Sequence, residues 1–163
     1  MIKLTPTPLT KAAFAPFGEV IEIEGAKHYG INQGFAERFH DLAKLDTGAD
    51  GGETIISIFL GEPRPLPIAI KLMERHPLSS QAFYPLQDRP WLVVVAEDPL
   101  SPSSLRAFHA TGKQGINYAR NVWHHPLLVL DPASRFLIID RRGPGKNLEE
   151  VWFEDGVKIE LQL

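Results

Sequence analysis

The chain of 163 residues contains no cysteine. Disulfides and thiolate chemistry are therefore excluded, and a transition-metal site would have to draw on histidine, carboxylate or amide oxygen. Long apolar runs are also missing, since nothing approaches the ~20 residues that span a bilayer. The opening segment Met1-Ile2-Lys3-Leu4-Thr5-Pro6 lacks the apolar stretch of a signal peptide. The expected location, by elimination, is cytoplasmic. Charge of one sign does not dominate: 17 Lys and Arg stand against 20 Asp and Glu, for a net charge of -3. The signs are interspersed, which argues against a nucleic-acid stripe or a polybasic membrane patch. Walker, GxGxxG, HExxH and GxSxG sequences are absent, so nucleotide-driven and serine-hydrolase chemistry have no support.

What is present is an ordinary globular composition, 44% hydrophobic and 23% charged. It suits one domain over residues 1–163 with a real core. Thr10 is placed to cap a short helix through Lys11 to Ala15, stopped by Pro16 and Gly18. Most of the remaining pattern is β. Glu19 to Glu24 alternates as a strand with one wet face, and Thr54 to Leu60 reads as another. Leu66 to His76 reads as one strand, and Gln81 to Pro85 as a short one. Trp91 to Ala96 is apolar on both faces, the mark of a central strand. Leu105 to Ala110 follows, then a turn over Gly112 to Gly115. Val122 to Leu130 and Phe136 to Asp140 suggest a hairpin about Asp131-Pro132-Ala133-Ser134. Val151 to Leu163 closes with a strand or two, and Ile31 to Asp41 fits no element cleanly. Many short strands with little helix predict an all-β fold, a double-sheet jelly roll of the cupin type with a few short helices.

Two segments carry candidate chemistry. If Leu66 to His76 is extended, Ile68, Ile70, Leu72, Glu74 and His76 share a face, because side chains alternate with period two. A carboxylate and an imidazole then continue an apolar face, which is costly unless they are paired, hydrogen-bonded or bound to metal. Gln81 follows a turn and can return toward them. The second segment is Asn121-Val122-Trp123-His124-His125-Pro126. Adjacent histidines point oppositely on a strand, and His124 shares its face with Val122, so His124 is the inward candidate and His125 is expected outside or at an interface. Glu74, His76 and His124 are the candidate catalytic groups, and with Gln81 the candidate metal ligands. The plainer reading is that His76-Pro77 and His125-Pro126 end strands, with the rings capping free carbonyls. Partial burial of Glu74 is expected to raise its pKa toward neutrality.

Arg38, Arg75, Arg120 and Arg141 are candidate carboxylate clamps, since a guanidinium binds a carboxylate through two parallel hydrogen bonds. Solvated surface charge is the alternative for each. Asn32 and Asn117 are either turn residues or substrate hydrogen-bonders. Glu37-Arg38-Phe39-His40-Asp41 reads as a solvated turn or as a rim contributing His40.

Taken in order, Phe14-x-x-Phe17-Gly18-Glu19-Val20-Ile21, Ile31-Asn32-Gln33-Gly34, Glu37 to Leu42, Glu74 to Phe83, Leu105-Arg106-Ala107-Phe108, Gln114 to Tyr118, Asn121 to Leu127 and Ile139-Asp140-Arg141 resemble the ureidoglycolate lyase family of the cupin superfamily. The resemblance implies a cupin fold, a homodimer, and cleavage of (S)-ureidoglycolate to glyoxylate and urea in allantoin (purine) degradation. It also implies a divalent metal, with nickel (Ni2+) the usual attribution. The site departs from the common cupin pattern: Glu74 stands where a first histidine is usual, Gln81 where a carboxylate is usual, and no Pro-x-Gly precedes His124. Alternative readings are a ureidoglycolate amidohydrolase releasing ammonia, another cupin enzyme such as a sugar isomerase or dioxygenase, and a non-catalytic cupin that binds a small acid.

Overall fold

A computed structural model describes residues 1–163. Two antiparallel-dominated sheets form most of the molecule. The five-stranded sheet runs in the order Gly18–Ile21, Gly115–Tyr118, Gln81–Pro85, Ser134–Arg142, Glu53–Gly61. The larger sheet runs in the order Glu149–Trp152, Leu72–Arg75, Trp123–His124, Trp91–Ala96, Leu105–Ala110, Thr7–Pro8, with Leu128–Val129 also paired to Trp91–Ala96. A small third sheet joins Ile2–Leu4, Ile159–Leu161 and Ile68–Ala69. The architecture is all-β and cupin-like, as the spacing of short strands predicts. No helix is long and apolar enough to cross a membrane.

The two large sheets trap one core between them, including Val20, Phe83, Trp91, Val93, Val95, Ile116, Phe136 and Ile138. A second cluster lies on the other face of the larger sheet and includes Ile68, Ile70, Met73, Leu92, Val94 and Ile159. Trp91–Ala96 is therefore central, with alternate residues in different cores and all six buried. The short helix Lys11–Phe14 forms where the Thr10 cap places it. The Thr10 hydroxyl accepts from the Ala13 backbone N–H at 3.1 Å, and Phe14 drops into the inner core. Satisfying one otherwise orphaned N–H in this way typically contributes ~1 kcal/mol.

Four local expectations change. Leu66 to His76 is two strands, Ile68–Ala69 and Leu72–Arg75, in different sheets. Ile70 donates its N–H to Ile159, and Lys71 accepts from Phe153, so the chain changes partners there. The alternation slips one residue at the break: Ile68, Ile70 and Met73 share the outer core. Glu74 therefore faces inward because of this phase change, not as a continuation of the Ile68–Ile70 face. The hairpin about Asp131 does not form. Leu128–Val129 pairs with Trp91–Ala96, whereas Ser134–Arg142 pairs with Glu53–Gly61 and Gln81–Pro85. The turn after Ala110 ends early, since Gly115–Tyr118 is a fully buried strand. The unplaced Ile31 to Asp41 region belongs to a hairpin of Lys27–Ile31 with Ala36–His40, whose strands pair only with each other.

Candidate active site

The candidate site lies where the two large sheets face each other at one end of the inner core. Glu74 and His124 are direct cross-strand partners in the larger sheet. His124 is also the cross-strand partner of Val95, an inner-core residue, which fixes its inward direction. His124 Nδ1 hydrogen-bonds the Val122 carbonyl at 2.9 Å. Its Nε2 is left 3.3 Å from Glu74 Oε1 and without a well-formed hydrogen bond, although the side chain is 1% exposed. The ring stacks on Tyr118 with centroids 4.1 Å apart and planes 13° apart.

His76 sits just past the end of its strand. Nδ1 faces the Asn147 carbonyl at 2.8 Å and Nε2 faces Gln81 Oε1 at 3.0 Å. Asn147 also ties down the loop after His76: its Oδ1 accepts from Leu78 N–H and its Nδ2 donates to the Ser79 hydroxyl. Gln81 Nε2 in turn donates to Asp140 Oδ2 at 3.1 Å. His76 Nε2 is 4.0 Å from Glu74 Oε1, and the two imidazole rings are 5.2 Å apart. Glu74 and His76 are 18% and 16% exposed, so the cluster is reached from their side rather than from His124.

The Glu74 carboxyl is held below its ordinary value, contrary to the expectation of a raised pKa. Burial pushes it up, but the His124 contact and the fields of His124, His76 and His125 outweigh that cost. Three imidazoles near one carboxylate favour its charged form. His125 is buried, at 2% exposure, rather than outside. Its Nδ1 donates to the Pro126 carbonyl at 2.7 Å. Burial lowers its pKa to about 4, reinforced by Arg64. Burial likewise pushes the Tyr118 phenol up, with the Glu74 charge adding to it.

One ligand atom each from Glu74, His76 and His124 lies within 4.8 Å of the others. A carboxylate oxygen and two imidazole nitrogens suit a borderline divalent ion. The buried His124 Nε2 facing a carboxylate supports this fit, since a lone pair against an anion needs a cation or a proton between them. Gln81 is adjacent but uses its oxygen on His76.

The substrate-binding candidates do not gather at this cluster in the same way. Arg75 pairs with Glu149 at 2.6 Å and lies over the Trp123 ring. Arg120 makes two hydrogen bonds to Asp46. Arg141 donates to the Ala49 and Pro144 carbonyls, bracing loops. Asn117 is buried, and its amide donates to Glu19 and to the Lys44 carbonyl. Asn32 and Arg38 are exposed on the separate hairpin. His40 turns its Nδ1 inside without a partner. Tyr118, Asp140 and Asn147 do not stand out by residue type. Their signal is positional: Tyr118 pairs with Gln81 in the five-stranded sheet, and Asp140 falls opposite Gln81 one step beyond the Ala82–Ile139 pair.

These features define a cupin-like β-barrel protein with a carboxylate–bis-imidazole site between its sheets. Residues 1–160 match the family model described as ureidoglycolate lyase. The chain is 54% identical over 157 residues to "Ureidoglycolate lyase 1" of Rhizobium meliloti (strain 1021), covering 96% of this chain and 92% of that protein. It is 54% identical over 151 residues to "Ureidoglycolate lyase" of Burkholderia mallei (strain NCTC 10229), covering 92% and 89%. Against "Ureidoglycolate lyase" of Brucella abortus biovar 1 (strain 9-941) it is 56% identical over 153 residues, covering 93% and 90%. The chain belongs to the ureidoglycolate lyase family.

Proposed function

We propose that this protein is a cytoplasmic lyase that cleaves (S)-ureidoglycolate to glyoxylate and urea. The observation that carries the reading is the convergence of Glu74, His76 and His124 in a chain of this family. The substrate is a hemiaminal, with hydroxyl, ureido nitrogen and carboxylate on one carbon. Cleavage removes the hydroxyl proton, forms the aldehyde C=O, breaks the C–N bond and delivers a proton to the departing urea nitrogen. Glu74, kept as a carboxylate by the neighbouring imidazoles, is the base that takes the hydroxyl proton. His76, on the more open side, carries the proton to the urea nitrogen. Each such proton transfer is typically worth about 10²–10⁴ in rate. Stacking on Tyr118 and the Val122 carbonyl hold the His124 ring so that Nε2 stays aimed at Glu74.

As the alternative to that proton-carrying role of His76, Glu74, His76 and His124 would hold a divalent metal, nickel by family resemblance, and such an ion would act as a Lewis acid toward the substrate oxygens. An arginine grips the substrate carboxylate. Among Arg38, Arg75 and Arg120, only Arg38 is free of an ion pair within the chain. The working unit is proposed to be a homodimer. Ile56, Ile58 and Leu60 alternate on one face of the edge strand Glu53–Gly61 and are 69%, 53% and 65% exposed, which favours a cover. Product analysis tests the activity: urea and glyoxylate in equal amounts support it, and ammonia without urea refutes it.

A further inference from the structure

Asp140 carries a carboxylate with no ion pair, and its one side-chain hydrogen bond is to the Gln81 amide, at 3.1 Å. A carboxylate only accepts, so it draws the Gln81 NH2 toward itself and turns the Gln81 oxygen the other way. That oxygen stands 3.0 Å from His76 Nε2. The opposite amide orientation would set the Gln81 oxygen against the Asp140 carboxylate, two acceptors with no hydrogen between them. Gln81 is 6% exposed, so water does not readily relieve such a conflict. The other His76 nitrogen is clamped by the Asn147 carbonyl at 2.8 Å. The ring is thus fixed at both ends, and the end nearer Glu74 is set from the opposite sheet.

We propose that Asp140 is a positioning residue of this site: it decides which end of the Gln81 amide, oxygen or NH2, is presented to His76. Asp140 does not reach the reacting atoms and acts through Gln81. With the oxygen presented, the metal-free Nε2 faces an acceptor beside Glu74, as Nδ1 already does at the Asn147 carbonyl. With the NH2 presented, that nitrogen would have to accept. The relay Asp140–Gln81–His76 therefore sets hydrogen-bond polarity at the site as well as ring orientation. Its effect on turnover rests on the lyase reading above, whereas its effect on the His76 ring does not.

A carboxylate–amide exchange tests the relay. Gln81→Glu alone places two carboxylates against each other. Asp140→Leu alone frees the amide to turn. The double variant Asp140→Asn with Gln81→Glu keeps the net charge and restores an oxygen facing His76, with the new amide at 140 donating to the new carboxylate at 81. Expected values are a kcat about 10- to 100-fold down in each single variant, a KM within about twofold of wild type, and a large part of kcat regained in the exchange variant. In parallel, long-range proton–nitrogen NMR of the His76 ring in chelator-treated protein reads which ring nitrogen bears hydrogen. The wild type and the exchange variant should share one pattern, and Asp140→Leu should depart from it. Asp140→Leu with wild-type kcat and a wild-type ring pattern would overturn the proposal. So would a well-folded exchange variant with no more kcat than the Gln81→Glu single variant. If the ring responds as expected while wild type releases no urea, the relay stands and the lyase reading alone fails.

Discussion

His125 should make the folded state sensitive to acid between pH 6.5 and about 4. The ring is 2% exposed and its pKa falls from 6.5 to about 4 on folding, chiefly because burial disfavours the charged form. Below 6.5 the unfolded chain takes up a proton that the folded chain refuses. The stability is fully present above 6.5 and is lost as pH falls toward 4. At ~1.4 kcal/mol for each pH unit, the full loss is about 3 kcal/mol. Integrated between pH 7 and pH 5, it is about 2 kcal/mol. Glu74 acts lower: its depressed pKa contributes stability above 4.5 that is lost only as pH falls through the folded value. The assay is urea denaturation at pH 7 and pH 5, in chelator so that acid release of metal does not intervene. His125→Gln keeps a polar side chain without the titration and should lose about 2 kcal/mol less than wild type over that interval. An equal pH slope in both proteins would refute the reasoning. If the variant is too unstable to compare, NMR of the wild type decides, because a His125 ring that protonates near 6.5 in the folded protein contradicts it.

Three other outcomes are expected. Gly18→Ala should destabilise by more than ~2 kcal/mol, read by denaturant midpoint, because φ is +148° and an added Cβ would lie 1.9 Å from the Asn117 carbonyl oxygen. Ile58→Lys should convert a dimer to a monomer of about 18.2 kDa in light scattering, and a wild type that is already monomeric rejects the covered edge strand. Excess Ni2+ should raise the melting temperature of chelator-treated wild type but not of His124→Ala, since only the folded site gathers the three donors. Equal shifts in both would place the metal elsewhere.

The parts of the fold legible in the sequence are those where one local rule acts alone. Trp91 to Ala96 reads as central because six apolar residues in a row leave no wet face. The Thr10 cap is local in the same sense. The Ile68–Glu74 phase break is not local: it comes from Ile159 and Phe153 drawing the chain into two sheets. The false hairpin about Asp131 fails for a related reason, because a good turn does not say which sheet each arm joins. At the site, Glu74, His76 and His124 stand out as residue types that an apolar face does not want. Tyr118, Asp140 and Asn147 do not, since each owes its place to register or to a loop far along the chain. Burial alone gives the wrong sign for the Glu74 shift, because His124, His76 and His125 gather around the carboxylate only in the folded chain.

The most direct test of the account is the product balance of Glu74→Gln against wild type with (S)-ureidoglycolate. Wild type should release urea and glyoxylate one to one. The variant, folded at the assay temperature, should lose at least about 10²-fold in kcat, the lower end expected for a missing general base. Full urea release by Glu74→Gln would contradict the central assignment.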